Sequence, residues 1–440
     1  MRRIFCGFLA SMAALLCPLA GCSKKTKNES RINSDFETVT KEDIVGITTE
    51  EIYVPEQKPI DYTNVEKQCV ISEEADTSFA ENINRIETSP EELEFKKVNI
   101  PEHYDCFIKG FIGCKLLVCV SLKIVSDAQY SNSDYEFGIY DTNTDEFTGI
   151  GETFSKMYLP PVCFPINDEC FGIQAVGRNA YTRLFKCDLE TGEMIQLDGY
   201  DVNNYEPGAV TVGEHGIASY YCERFSGDWV VRYCPFENDG AKEIFRYKNE
   251  NTDAYPAAVI SDGNNIALVI QYTVDGVSRT VLQWITPEGE LLESEAIPLY
   301  ETFGKRRYDI VSANITGDYY CFTAAQCDLP DTAVFRREGD TFYPVSMGDY
   351  LSETSDICCT DGSLMTQLAY ETFDSDRTEK FCGAARIDVK NKSLTVCEIP
   401  MRYQDDEPVS QSCYITPSGE FITICSDQST LYPQYEYAVE

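Results

Sequence analysis

The residues able to do chemistry are few and unevenly placed. Only two histidines occur, His103 and His215. A histidine-rich metal site is therefore excluded, and any Ser-His-Asp relay would depend on one of them. His103 falls in a connection between strand-like runs and His215 in the tight turn Gly213-Glu214-His215-Gly216, both suited to a surface. No GxSxG elbow, P-loop or dinucleotide fingerprint is present. Asp141-Thr142-Asn143-Thr144-Asp145 has oxygen donors at alternate positions, with Glu152 at the twelfth place of a calcium loop. Glu146 stands where such a loop needs glycine, and the flanks alternate like strands, so the string reads as a hairpin turn. No metal or other cofactor is expected. Asp374 with Asp376, and Asp405-Asp406-Glu407, put carboxylates in loops. Glycoside hydrolysis would need two acids on opposite sides of a sugar, but in so acidic a chain loop placement alone accounts for them. Tyrosine is the more suggestive residue. Tyr104, Tyr158, Tyr205, Tyr255, Tyr308, Tyr350 and Tyr403 recur in successive connections. Gathered on one face, they would offer apolar rings with hydrogen-bonding tips. Packing between repeats is the plainer use of the same residues. Arg306 and Arg307, with Lys305, form the compact basic cluster of the body and lie in one such connection.

The elements that must position these residues are short strands. From about Glu94, runs of Tyr, Phe, Val, Ile and Cys alternate with Gly, Asn, Asp and Pro turns, and long helical periodicity is missing. Hairpins recur about every fifty residues, with turns around Asp141, Glu190, Asp239, Glu288, Gly339 and Asn391. That period, with four strands per repeat, is the signature of a propeller blade. Six units fill residues 103 to about 400, and the remainder supplies only three strands. Phe95–Pro101 is similar to Leu394–Pro400, the outer strand of the sixth unit, and both end in Ile-Pro. The expectation is an all-β β-propeller of seven four-stranded blades closed by this N-terminal strand over residues 94–440, with a six-bladed ring as the alternative. Closure of this kind would protect the sheet edges. The hairpins with turns such as Asp188-Leu189-Glu190-Thr191-Gly192-Glu193 resemble those of bacterial WD40-like and TolB-type propellers. No Gly-His…Trp-Asp signature recurs, so the resemblance implies a fold and carries no activity.

The first residues read as a targeting segment. Arg2 and Arg3 precede an apolar run from Ile4 to Leu16, and Leu19-Ala20-Gly21-Cys22 follows. These four residues resemble the lipobox of bacterial lipoproteins. The resemblance implies a signal peptide over 1–21, cleavage before Cys22, and lipidation of its thiol. Two acyl chains on one residue meet the need for a stable anchor. Residues 22–93 are dominated by Glu, Asp, Thr, Ser and Asn, and read as a flexible acidic spacer. The expected location is the outer face of a bacterial cytoplasmic membrane, or cell surface.

Charge and cysteine usage bound the partners. With 36 basic against 73 acidic residues, the chain has a net charge of -37, which repels nucleic acid. Of 20 cysteines, Cys6 and Cys17 would leave with the signal and Cys22 would carry lipid. Most others lie in apolar strand-like runs, where a free thiol behaves as a small hydrophobe. They are expected to be mainly reduced and buried. The sequence thus points to a membrane-anchored, non-enzymatic binding or scaffold module for a protein, peptide or glycan. A carbohydrate-active or other hydrolytic propeller using loop carboxylates is the alternative.

Overall fold

The computed structural model describes residues 69–439 apart from short stretches, chiefly 89–92, 101–104, 158–160, 167–169, 177–180, 202–204, 224–227, 237–240, 248–253, 303–307, 347–356, 416–418 and 428–433. Among the described residues every regular element is a strand except one helical turn, α1 (Leu299–Thr302). Six antiparallel sheets are each built from four consecutive strands. They occupy residues 105–157, 162–201, 205–247, 254–297, 309–344 and 357–400, and are called sheets one to six. A seventh sheet takes three strands from Ser410–Ile415, Phe421–Asp427 and Gln434–Val439. Its fourth strand comes from far earlier in the chain.

Burial follows position within a sheet. The second strand of sheet four, Ile266–Val274, is covered along Ile266–Tyr272 and is apolar from Ile266 to Ile270. Such a strand has both faces buried by neighbouring sheets. The outer strand Leu291–Ile297 begins exposed at Leu291 and Leu292 and ends buried at Ala296 and Ile297.

The core is divided into clusters, each drawn from two sheets. Phe137 and Phe154 of sheet one meet Phe171 and Phe185 of sheet two, with Phe154 and Phe185 edge to face at 5.2 Å. Leu184 and Leu197 then meet Ile217 and Cys234 of sheet three. Trp229 meets Val259 and Ile270 of sheet four, and Ile260 and Trp284 meet Phe322 and Phe335 of sheet five. Val334 meets Leu394 and Val396 of sheet six, and Cys382 and Ile399 meet Ile415 and Phe421 of the seventh sheet. Finally Ile422 and Ile424 of the seventh sheet meet Leu116 and Val118 of sheet one. The last sheet thus packs on the first. The fold is a β-propeller.

The segment before sheet one is laid along the outer edges of three sheets. β1 (Val70–Ile71) pairs in parallel with Thr341–Pro344 of sheet five. Asp76 bridges to Val345. β2 (Ile83–Ile86) pairs in parallel with Ser393–Pro400 of sheet six. β3 (Lys96–Lys97) pairs antiparallel with Gln434–Val439 and completes the seventh sheet. Residues assigned by composition to the spacer therefore carry strand pairing from Val70 onward. The reason is that outer strands offer unpaired backbone groups, which a polar segment can satisfy without a large apolar face. Apolar side chains are nevertheless committed: Phe79 is wholly buried against Tyr319, with ring centroids 5.3 Å apart at 89°, and Leu93 is buried in the cluster between sheet six and the seventh sheet.

Three hairpins share one turn. Asp141, Asp188 and Asp388 each end the third strand of a sheet, and the residue four places on adopts positive φ: Asp145 at 60°, Gly192 at 70° and Lys392 at 49°. The aspartate side chain accepts backbone N–H groups within the turn, from Asn143, from Glu190 and Thr191, and from Asn391 respectively. These bonds hold the carboxyls of Asp188 and Asp388 below the ordinary value. Local side-chain capping of this kind is what aspartate contributes to turns. The string from Asp141 to Asp145 is one of these turns, with Asp141 paired across to Glu146.

Candidate functional site

Of the recurrent tyrosines, the four among the described residues, Tyr205, Tyr255, Tyr308 and Tyr403, each stand at or beside the start of a strand. Tyr255 is the second residue of Ala254–Ser261, and Tyr308 immediately precedes Asp309–Thr316. The two serve different ends. Tyr308 is 1% exposed, so it presents nothing to a ligand. Its hydroxyl shares a hydrogen bond with that of Thr280 at 3.0 Å, and burial pushes its pKa up to about 12. Its backbone N–H donates to Ser278 Oγ and its carbonyl accepts from Ser278 Oγ and from Gln271 Nε2, each at 3.1 Å. This is a packed junction between sheets four and five. The reading of Tyr308 as part of a ligand face is thereby corrected: its polar atoms are used to join two sheets.

Tyr255 is 38% exposed and stands at the edge of the same junction. Its hydroxyl lies 2.8 Å from Asp309 Oδ1 and 3.1 Å from Gln271 Oε1. One proton cannot serve both acceptors at full strength, and the shorter bond to the carboxylate is the stronger kind. Gln271 is buried and already accepts the Ile310 N–H at 2.9 Å. An aromatic ring is thus held at the rim by its tip, across two sheets. Asp309 and Gln271 were not singled out by sequence reasoning; the only signal was an acid directly following a connection tyrosine.

The remaining expected site residues divide by what the structure describes. Tyr205 and Tyr403 open short strands, pairing with Glu223 and Pro408 through the backbone. Tyr104, Tyr158, Tyr350, Arg306, Arg307 and Cys22 lie outside the described residues.

The buried acids occupy a different part of the ring. Asp198, on the outer strand of sheet two, takes both arms of Arg232 from the third strand of sheet three, at 2.8 and 2.9 Å. Glu295, on the outer strand of sheet four, faces Arg337 from the third strand of sheet five at 2.7 Å. Arg337 Nε–H donates to the Gly339 carbonyl, so its attraction to Glu295 is chiefly coulombic. Burial raises the Glu295 carboxyl, opposed by Arg337 and by hydrogen bonds from Trp284 Nε1 and Tyr320. Asp76, in the segment between β1 and β2, accepts from Arg336 Nε at 2.8 Å. Each acid is matched to an arginine on another sheet or segment, as a buried charge requires. Among the described residues, no three His, Cys, Asp or Glu side chains converge as a metal site would need.

No protein-family model matches the chain, and no curated protein matches it. Solved structures do. An oligogalacturonate lyase from Vibrio parahaemolyticus is similar at 11% identity and a TM-score of 0.47, covering 79% of this chain and 97% of that one. The β-propeller domain of the Trilobed protease from Pyrococcus furiosus, described as having an open velcro topology, is similar at 8% identity and a TM-score of 0.46, covering 77% and 94%. Dipeptidyl peptidase 4 from Porphyromonas gingivalis is similar at 9% identity and a TM-score of 0.38, covering 72% of this chain and 50% of that chain.

Tyr255 and Asp309 present one ring and one carboxylate, fixed by a hydrogen bond to each other.

Proposed function

We propose that this chain is a lipid-anchored extracytoplasmic binding module, held to the membrane through Cys22, that engages a protein, peptide or glycan with the rim carrying Tyr255 and Asp309. The observation that carries the reading is the fixed, part-exposed ring of Tyr255, clamped across sheets four and five. A ring already immobilised loses little entropy on contact, and such aromatics are effective anchors for peptides and sugars. The committed state of the buried acids supports the same choice: Asp198, Glu295 and Asp76 are each spent on an arginine. Seven four-stranded blades form the ring in this reading. Support comes from the cluster between the seventh sheet and sheet one, and from β3 supplying the seventh sheet's outer strand. The segment from Cys22 would then reach the body along the outer edges of sheets five to seven.

Two measurements test the proposal. The full chain carrying Cys22→Ala should leave the membrane fraction, and retention with lipid labelling intact would overturn the anchor. The released protein, screened on glycan and peptide arrays, should retain a ligand that Tyr255→Ala loses by tenfold or more while the melting temperature holds. Release of cleaved products from a bound polysaccharide or peptide would instead establish an enzyme.

A further inference from the structure

The segment before sheet one advances by a regular step. β1 begins at Val70 on the outer edge of sheet five, β2 at Ile83 on sheet six, and β3 at Lys96 on the seventh sheet. Thirteen residues separate Val70 from Ile83, and thirteen separate Ile83 from Lys96. At each crossing an apolar side chain is buried in the junction of the two sheets, Phe79 between sheets five and six and Leu93 between sheet six and the seventh. Fourteen residues separate these two, and fourteen before Phe79 stands Val65.

The outer edge of sheet four is the next step back. Among the described residues no strand pairs with it. Its outer strand begins with Leu291 and Leu292, each 40% exposed. Neighbouring residues on a strand point to opposite faces, so both faces are open there. Leu292 follows the positive-φ Gly289 by three places, as Phe342 of sheet five follows Gly339. Phe342, however, is 1% exposed, and Ile71 of β1 packs on its cluster. The chain already reaches sheet four at the strand's other end. Cys69, directly before β1, lines a small cavity with Ala296 and Ile297. A strand parallel to Leu291–Ile297, as β1 and β2 are parallel to theirs, would deliver the chain to this point.

We infer that residues 54–60, which lie outside the described ones, add a parallel strand to the outer edge of sheet four and cover Leu291 and Leu292. The compact unit that contains the ring begins at Val54, so the inferred strand belongs to that unit. The placing of proline fits an outermost strand. In β1 the N–H groups of Val70 and Ser72 donate to sheet five, and alternate residues of a strand turn their backbone groups to the same edge. Fourteen residues earlier stand Glu56 and Lys58, whose N–H groups take the same part. Pro55, Gln57 and Pro59 then face outward. Proline is accepted on that side of an edge strand, and there it blocks a further strand from adding. Val65 takes the junction of sheets four and five, as Phe79 and Leu93 take the next two.

The inference depends on neither the anchor nor the ligand. The full chain carrying Cys22→Ala is compared by hydrogen exchange with two variants. Glu56→Pro with Lys58→Pro removes both bonding N–H groups, whereas Gln57→Pro removes one that faces outward. The peptide spanning residues 291–294 should exchange slowly in the parent and in Gln57→Pro, and about tenfold faster or more in the double variant. Rates in the second strand of sheet four, Ile266–Val274, should be the same in all three. A chain lacking residues 54–60 should show the same loss of protection, which keeps the test decisive if the prolines are accommodated. Fast exchange at 291–294 in the parent would overturn the inference by showing an open edge. Slow exchange that survives both the double substitution and the deletion would overturn it too, and its loss on dilution would identify a second copy of the chain as the cover.

Discussion

Arg232 grips Asp198 through two of its guanidinium nitrogens, at 2.8 and 2.9 Å, and so ties the third strand of sheet three to the outer strand of sheet two. Arg337 and Glu295 stand in the corresponding places on sheets five and four. An acid on an outer strand and an arginine on the next sheet's third strand is thus a recurring clasp. Asp198 is 3% exposed in its side chain, so Arg232→Ala takes a two-armed charged contact away from a buried carboxylate. The expected loss is about 3–5 kcal/mol, measured as a lowered urea midpoint with unchanged slope. Replacing Arg232 by Lys should recover only part of it, because a point charge cannot reproduce the two-armed contact.

Tyr308 and Tyr255 should separate in a mutational comparison. Tyr308→Phe removes one partner of Thr280 inside the junction and should cost about 1–2 kcal/mol of stability, with ligand capture intact. Tyr255→Phe loses the bond to Asp309 at a part-exposed site, costing about 1 kcal/mol or less, but should weaken capture by freeing the ring. Binding and unfolding measured on both proteins give the contrast. Equal effects of the two substitutions on binding would place the ligand elsewhere.

Stability should fall in acid, and Asp76 should be one cause. Burial pushes its carboxyl up, but hydrogen bonds from Ser78 and Arg336 outweigh it and hold the pKa below the ordinary value of 3.8. A carboxyl with a depressed folded pKa binds fewer protons than the same group unfolded. Its contribution is complete above the unfolded value of 3.8 and is lost as the pH falls through the lower folded value. Asp188 and Asp388 shift in the same direction through their turn bonds. Asp76→Asn should therefore be less stable than the natural protein near neutrality, with the gap closing in stronger acid. Urea midpoints at several pH values check it.

Strand alternation and the fifty-residue hairpin period made the sheets legible, because each sheet repeats one local pattern. The complement from Lys96–Lys97 was legible too, through its similarity to the outer strand ending in Pro400. What stayed hidden depends on neighbours distant in sequence. Composition cannot show that Val70–Ile71 and Ile83–Ile86 have sheet edges to join, since a polar segment finds its partners only once the ring exists. Tyr308 and Tyr255 occupy similar places in sequence, yet one is sealed and the other part-exposed. That difference arises from Thr280, Ser278 and Gln271 on adjacent strands of sheet four. The arginine clasps were invisible for the same reason, as alternation marks a strand's faces but not the sheet that lies beside them.

The edge segment should be separable from the ring by a single substitution. Phe79 is its one wholly buried side chain, seated with Tyr319, Val334, Leu394 and Val396 between sheets five and six. The backbone bonds around it are the pairing of β1, Ser72 N–H to the Phe342 carbonyl and Asp76 N–H to the Pro344 carbonyl, both at 2.8 Å, Ser346 N–H to the Asp76 carbonyl at 2.9 Å, Leu394 N–H to the Asn82 carbonyl at 3.0 Å, and the short ladder of β2. Phe79→Ala removes a buried ring, an exchange that costs about 3–5 kcal/mol in a protein core. That is more than so short a ladder supplies. Residues 69–88 should then peel from the outer strands while the ring, closed by Lys96–Lys97 further on, persists. Limited proteolysis should cut the variant between β1 and β2 well before the ring is lost, and hydrogen exchange should rise at Ser72 and Asp76. Cleavage and global unfolding at one denaturant concentration would show instead that the segment and the ring fold as a unit.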